Sequence, residues 1–252
     1  MTESRPEGGA QEPANKHRND IYGDQPDRES ADAAIPAATV VLLRANPEVE
    51  VLMLHKTSKI AFGGMWVFPG GRIDEEDYPE DRDIQAAARR AAVRETMEEA
   101  GIESSEEDFV FFAHWTPPPG TPKRFATWFF ASAAGSQDVS IDGGEIQDHQ
   151  WIRPAEALAR HGRGEIDLAP PTWITLYELT LAPTVDGVLS RLRSRPTRIY
   201  ETRIGTRDDG VRVAMWAGDA GYESRNAKSA GARHRLNMAP GGFVFEHTAV
   251  DY

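Results

Sequence analysis

Three glutamates at helical spacing constrain this chain more than any other feature of its sequence. Glu98 and Glu99 lie three and four residues after Glu95, so a helix places the three carboxylates on one face. Like charges at this spacing repel each other by about 0.2–0.5 kcal/mol, which makes them a poor choice for a merely solvated surface. Clustered carboxylate oxygens suit Mg²⁺ or Mn²⁺. The spacing therefore predicts a helix that holds a divalent cation.

The ends of this helix can be read from local signals. Asp83 is a favoured capping residue, the following residues to Ala100 are mostly good helix formers, and Gly101 is a typical stop. A helix over residues 84–100 is therefore predicted. Upstream, a short strand leads into Gly70-Gly71, where the absence of a side chain lets the backbone approach a ligand closely.

Two segments of this region together resemble the Nudix box. Residues 94–102 read Arg-Glu-Thr-Met-Glu-Glu-Ala-Gly-Ile and match its closing half at every fixed position, with Thr96 where an apolar residue is usual. Residues 68–71 read Phe-Pro-Gly-Gly and match its opening half. The chain thus resembles the Nudix hydrolase superfamily over roughly residues 35–181. This implies an α/β fold in which a mixed β-sheet is sandwiched between helices.

The spacing between the two halves is similar to that of one subgroup only. Asp77 stands where the family has its first box glutamate, and sixteen residues then separate it from Arg94, about nine more than usual. Such an insertion resembles the long-box Nudix proteins that include peroxisomal coenzyme A diphosphatases. In the family, the first box glutamate pairs with the box arginine, here Arg94. Glu75, Glu76 and Asp81 are alternatives to Asp77 for this pairing.

The resemblance also implies roles for individual residues. The metal ligands for Mg²⁺ or Mn²⁺ would be the Gly70 carbonyl together with Glu95, Glu98 and Glu99. The catalytic residues would be Glu98, Glu145 and Arg94. Related hydrolases often carry a glutamate some six residues before a tryptophan, and Glu145 stands at that distance from Trp151. Glu145 would be the general base or a further metal ligand, and Glu98 or Glu95 could replace it as the base.

Two cations are candidates for binding the substrate. Lys123 and Arg124 begin a predicted strand after a proline-rich connector, where they could meet phosphate oxygens. A structural ion pair is an equally good explanation for Arg124. The long-box subgroup is similar in this region, with Trp-Thr-Pro at residues 115–117 and Lys-Arg-Phe at residues 123–125.

The implied function is metal-dependent hydrolysis of a diphosphate bond in a nucleoside diphosphate derivative. The subgroup resemblance favours coenzyme A or acyl-coenzyme A. A stricter coenzyme A signature upstream of the box is matched only in part, because Gly64 fits but Ile60 stands where an arginine is expected. ADP-ribose or NADH are alternative substrates, and a non-catalytic Nudix-fold regulator that binds a nucleotide is an alternative function.

Composition narrows the function classes further. The net charge of −12 argues against a nucleic-acid-binding surface, which needs a basic stripe. The chain contains no cysteine, which excludes disulfides and thiolate metal sites. No apolar run of about 18 residues and no signal-peptide pattern is present, so we expect a cytoplasmic protein without a membrane partner.

The domain organisation follows from composition and periodicity. Residues 1–33 are predicted to be a disordered tail, residues 34–195 the Nudix domain, and residues 196–252 a β-rich C-terminal extension. Predicted strands in the extension cover residues 199–204, 211–217 and 242–247, and Arg233-His234-Arg235 is predicted to be a solvated cluster in a loop between them. The extension could cover the active site, complete a sheet or form a homodimer contact.

Overall fold

The computed structural model describes residues 20–22, 33–57, 62–121, 123–135, 138–141 and 143–252. The larger of its two sheets has eight strands: β1 (Ile35–Ala45), β2 (Val49–Lys56), β3 (Trp66–Val67), β4 (Gly70–Arg72), β5 (Val110–Thr116), β6 (Phe125–Ala133), β7 (Ile146–Ile152) and β8 (Arg198–Glu201). The smaller sheet has four strands: β9 (Arg203–Thr206), β10 (Arg212–Met215), β11 (Arg235–Ala239) and β12 (Gly242–Glu246). The helices are α1 (Ile84–Ala100), α2 (Pro154–Gly162), α3 (Pro170–Leu179) and α4 (Val185–Ser194).

Strand β1 is the centre of the larger sheet. The sheet order is β3-β2-β1-β6-β5-β8, with β4 also paired to β1 and β7 also paired to β2. β1 runs parallel to β6 and antiparallel to β2 and β4. Because side chains alternate along a strand, Val40 and Leu42 pack on the α1 side while Val41 and Leu43 belong to the core that contains α3 and α4. The predicted mixed sheet between helices is confirmed.

Helix α1 begins and ends where the sequence predicts. The Asp83 side chain accepts a hydrogen bond from the Gln85 amide at 2.9 Å, and Gly101 has the left-handed φ of 65° that suits glycine at a helix end. Four fully buried alanines keep its inner face slim, so that the helix packs closely against β1: Ala87, Ala88, Ala91 and Ala92.

The C-terminal extension is β-rich, as predicted, but two of its details differ from the prediction. The single strand expected over residues 199–204 is divided at Thr202 between β8 of the larger sheet and β9 of the smaller one. Strand β11 replaces part of a predicted loop. The solvated cluster predicted around it is wrong, because His234 and Arg235 are buried. Asp219 makes this burial possible, since its carboxylate accepts from the Arg235 Nε at 2.6 Å and from the His234 amide at 3.0 Å.

Aromatic side chains join the extension to the larger sheet. The rings of Trp115 on β5 and Tyr200 on β8 stack at 3.7 Å, and Trp216 packs edge-on against both. Most of the predicted tail lies outside the described residues, but residues 20–22 are described and Tyr22 is buried in the same core. The domain boundaries themselves remain predictions.

The described helices are all too short or too polar to cross a lipid bilayer.

The buried Asp219–Arg235 pair should be a major contributor to the stability of the extension. Both side chains are almost completely inaccessible to solvent. Asp219→Asn leaves the Arg235 guanidinium buried without its counter-charge, so we expect a loss of about 3–5 kcal/mol in the free energy of unfolding, measured by urea denaturation. Asp209→Asn is the matched control, because the Asp209–Arg207 pair is half exposed and should change stability by less than about 1 kcal/mol. Equal losses in the two variants would contradict the prediction.

Candidate active site

The two glycines of the predicted turn lie on β4, between β1 and α1. Gly70 is paired with Thr39 and Gly71 with Ala38. A Cβ atom on Gly70 would lie 2.7 Å from the Thr39 Cα, and one on Gly71 would overlap the carboxylate of Glu95. Only glycine therefore lets β4 pass between β1 and the glutamates of α1, and this close approach places the β4 backbone against the carboxylates.

Glu99 is the most deeply buried of the three glutamates, with a side chain only 6% exposed. Its Oε2 accepts a hydrogen bond from the Gly70 amide at 2.8 Å, and its Oε1 lies 3.0 Å from the Nζ of Lys56. Burial raises the pKa of Glu99, although the Lys56 ammonium and the Gly70 amide oppose this shift. The side chain of Glu99 is thus tied to both β4 and β2.

Arg94 connects the other two glutamates to Asp77. Its guanidinium lies 2.9 Å from Asp77 Oδ2, 2.8 Å from Glu95 Oε1 and 3.3 Å from Glu98 Oε2. Asp77 is buried within a 3-10 turn, whereas Glu75 pairs with Arg82 at the surface. Among the alternatives left by the sequence, Asp77 is therefore the main carboxylate partner of the box arginine. Arg94 holds Glu95 and Glu98 side by side.

Glu95 carries an excess of buried negative charge. Its pKa is raised from 4.5 to about 7, first by burial and then by the neighbouring Glu99 and Glu98 carboxylates, in spite of its contact with Arg94. A carboxylate whose ionised form is disfavoured in this way is stabilised by any additional cation placed near it.

Glu145 and Lys56 meet at the start of β7. Lys56 Nζ lies 3.7 Å from Glu145 Oε2 and 3.0 Å from Glu99 Oε1, so one ammonium joins the two carboxylates. The Glu145 side chain is 61% exposed, and its backbone carbonyl accepts from the Thr57 amide at 2.9 Å. Sequence reasoning missed Lys56. Lys56 lies two and four residues after the buried Leu54 and Leu52 on β2, and this alternation could have indicated that Lys56 shares their buried face.

The two predicted substrate-binding cations are placed differently. Lys123 lines a cleft of about 720 Å³ that also contains Glu95, Glu98, Glu99 and Glu145. Arg124 does not line this cleft, and its Nε donates to the Pro117 carbonyl at 2.8 Å. The structure thus places Lys123 on the cleft that also contains the carboxylates and gives Arg124 a structural contact.

The donor set has the chemistry that Mg²⁺ or Mn²⁺ requires, namely carboxylate and carbonyl oxygens around one turn. Within the described ranges, however, no three acidic or histidine side chains converge in a geometry ready for a metal ion. Arg94 and Lys56 instead neutralise part of the carboxylate charge, and burial is the main reason why the pKa values of Glu95 and Glu99 stay raised. The residues therefore fit a divalent cation in type and charge.

Comparison with known proteins identifies the family. A model of the NUDIX domain matches residues 34–171, more than half of the chain, and the chain therefore belongs to this family. Nudix hydrolases generally use divalent metals such as Mg²⁺ or Mn²⁺. A curated relative named "Putative nudix hydrolase 7", from Caenorhabditis elegans, is 24% identical over an alignment of 181 residues, and the match covers 57% of this chain. The match spans 59% of the length of that relative.

Solved structures show the same fold. A NUDIX hydrolase from Alicyclobacillus acidocaldarius superposes with a TM-score of 0.55 and 23% identity, over 66% of this chain and 100% of the other. The predicted Nudix fold is thereby confirmed. The NUDIX domain of Shewanella oneidensis NrtR, solved with ADP ribose, has a TM-score of 0.45 and 17% identity over 65% of this chain and 90% of the other. Likeness at this level says nothing about the ligand of this chain.

The close contact between β4 and α1 can be tested with Gly71→Ala. The added methyl group would force the Glu95 carboxylate away from β4, so we expect Mn²⁺ affinity to fall by at least about tenfold, a loss of roughly 1.4 kcal/mol. Calorimetric titration with Mn²⁺ measures this. Gly241→Ala is the control, because nothing lies within 4 Å of a Cβ atom at that position. Unchanged Mn²⁺ affinity in a folded Gly71→Ala protein would contradict the geometry.

The raised pKa of Glu95 predicts a pH-dependent stability in metal-free buffer. Because the folded-state pKa of about 7 exceeds the ordinary value of 4.5, the contribution of Glu95 is complete below about pH 4.5 and is lost as the pH rises through 7. Glu95→Gln is uncharged at every pH, so its stability relative to the wild type should increase by about 2–3 kcal/mol between pH 4.5 and pH 8. Urea unfolding at both pH values measures this, and a constant difference would refute the assignment.

Proposed function

We propose that this protein hydrolyses a diphosphate bond in a nucleoside diphosphate derivative with the help of Mg²⁺ or Mn²⁺. The observation that carries the proposal is the gathering of Glu95, Glu98, Glu99 and Glu145 with Lys123 around one cleft. Carboxylates alone would repel an anionic substrate, so the cleft needs both a bound cation and basic side chains to receive a diphosphate.

Each residue of the site then has a definite role. Gly70, Glu95, Glu98 and Glu99 would hold the cation, which when bound would neutralise phosphate charge and lower the pKa of the attacking water. Arg94 keeps Glu95 and Glu98 in position through contacts of 2.8 Å and 3.3 Å.

Proton transfer is assigned to Glu145. Attack of water on phosphorus breaks the bond to the bridging oxygen, gives two phosphate monoesters and releases one proton, which Glu145 would accept. Its carboxylate is exposed to solvent. The ammonium of Lys56 lies 3.7 Å from this carboxylate and also contacts Glu99. Lys123 would bind the charge of the leaving phosphate. Glu98 or Glu95 would be the base if Glu145 is not.

Coenzyme A or acyl-coenzyme A is the substrate that we propose first. Support comes from the long insertion before Arg94 and from the Trp-Thr-Pro and Lys-Arg-Phe segments at residues 115–117 and 123–125. The deviation from the stricter signature, Ile60, lies outside the described residues. ADP-ribose and NADH carry the same diphosphate linkage and are therefore included in the test, as are nucleoside triphosphates.

A release assay with Mg²⁺ or Mn²⁺ across coenzyme A, acyl-coenzyme A, ADP-ribose, NADH and nucleoside triphosphates tests this function. We expect turnover of a diphosphate-linked substrate, and a loss of about 10²–10⁴-fold in kcat in Glu145→Gln if Glu145 is the base. Glu98→Gln should lose both turnover and Mn²⁺ affinity. Its side chain is 58% exposed, so the fold should tolerate this change.

Glu107→Gln is the matched control, because this exposed glutamate outside the cleft loses the same charge. Its activity should equal that of the wild type. If all of these substrates stay intact while the protein binds one of them in calorimetry, the hydrolase function is wrong and a nucleotide-binding module replaces it.

A further inference from the structure

Four residues that line the cleft lie outside the part of the chain that matches the family: Thr172, which directly follows the matched part, and three others. Ile21 and Tyr22 come from the N-terminal segment, and Thr202 joins β8 to β9. The family match covers residues 34–171. Part of the cleft wall therefore lies outside the family domain, and it is made by two segments that are about 180 residues apart in sequence.

A buried ion pair anchors the N-terminal segment. The Asp20 Oδ2 and Arg212 Nε atoms are 2.7 Å apart, and the two side chains are only 1% and 9% exposed. Asp20 Oδ1 also accepts from the Tyr22 amide at 3.3 Å. Breaking a buried ion pair leaves an uncompensated charge, so the pair with Arg212 fixes the position of residues 20–22, and the Tyr22 contact fixes their turn.

A second set of contacts ties Tyr22 to the extension. The Tyr22 hydroxyl shares a hydrogen bond with the Thr202 side chain. Thr202 Oγ1 in turn accepts from the Trp216 Nε1 at 3.1 Å, and the Thr202 amide donates to the Thr116 carbonyl at 2.9 Å. Thr202 thus ties the N-terminal segment to β5 and to Trp216, which follows β10. We use the name composite wall for the part of the cleft lining formed by Ile21, Tyr22, Trp115 on β5, Phe129 on β6 and Thr202.

The composite wall lies at a distance from the carboxylates that the strand register fixes. Arg72, Ala37, Thr127 and Trp115 are successive partners across four neighbouring strands. At about 4.8 Å per strand, Trp115 is roughly 14 Å from Arg72, whose carbonyl accepts from Arg94 at 3.0 Å. Phe129 is nearer, because it pairs with Thr39 opposite Gly70 and is therefore roughly 10 Å from Gly70. A diphosphate held at the carboxylates would therefore need a substituent of several bonds to contact the wall.

We propose that the composite wall binds an uncharged apolar group carried on the substrate's diphosphate, and that Asp20 and Arg212 are the positioning residues for this wall. This inference rests on the proposed function. Four of the five wall residues are aromatic or aliphatic, and the fifth, Thr202, is engaged with Tyr22 and Trp216. Ile21 is only partly buried, so it is the wall residue with the most surface left for a ligand.

Two substrates that differ only in their apolar group test the proposal. The two substrates are ADP esterified on its terminal phosphate with an octyl chain and ADP esterified there with a methyl group, so both contain the same diphosphate. Each buried methylene contributes roughly fourfold in affinity, so we expect the full-length protein to prefer the octyl compound by more than about tenfold in kcat/KM. The preference should appear in KM rather than in kcat.

Two variants distinguish direct contact between the wall and the ligand from positioning of the wall by its anchor. Ile21→Ala removes part of the wall with its anchor intact, and Asp20→Ala removes the anchor. Both should reduce the octyl-to-methyl ratio of kcat/KM to below about threefold. Hydrogen exchange at Tyr22 should become faster in Asp20→Ala only. Glu223→Gln is the control, because it breaks an ion pair of the same extension whose glutamate is 83% exposed. It should leave the ratio and the exchange rate unchanged.

An unchanged ratio in folded Ile21→Ala protein, or no preference for the octyl compound in the wild type, overturns the proposal. If the wild type hydrolyses neither compound, the proposed function fails separately, and calorimetric titration with the same two compounds still tests the wall. Equal affinities would overturn it, and tighter octyl binding that Ile21→Ala abolishes would support it. If Asp20→Ala does not fold, Ile21→Ala alone decides.

Discussion

The candidate active site depends on how one guanidinium distributes its charge. Arg94 contacts Asp77, Glu95 and Glu98, three carboxylates that would otherwise repel one another along and beside a single helix. Because its donors are fixed in a plane, it holds the carboxylates in a defined arrangement rather than merely neutralising them. Asp77, at the position of the first box glutamate, is buried and keeps the guanidinium in place.

A second cation, Lys56, serves the other half of the site. It joins Glu99, which is buried on α1, to Glu145, which is exposed at the start of β7. Burial raises the pKa values of Glu95 and Glu99 in spite of these two cations. The ion pairs with Arg94 and Lys56 keep the carboxylates oriented.

The sequence predicts the parts of this structure that have local causes. The bounds of α1 follow from Asp83 and Gly101, and the carboxylate face follows from helical spacing. Contacts between segments that are distant in the chain could not be predicted from the sequence. Arg235 looked like a solvated residue because its partner Asp219 lies sixteen positions away, and Ile21 and Tyr22 were hidden in a polar stretch whose average composition predicts disorder. Lys56 was missed because strand parity identifies a buried position but not the partner that permits a lysine there.

The central position of β1 also governs the order in which the cleft can assemble during synthesis. β1 pairs in parallel with β6, some eighty residues later, and the strand that carries Gly70 and Gly71 pairs with β1. The carboxylates of α1 can therefore be positioned once β6 has left the ribosome, and Glu145 joins them when β7 pairs with β2, whereas the Asp20 anchor waits for Arg212 and the smaller sheet. A nascent chain would pass through a stage with its charged half built and its apolar half exposed. The last sixty residues convert that open edge into a closed wall.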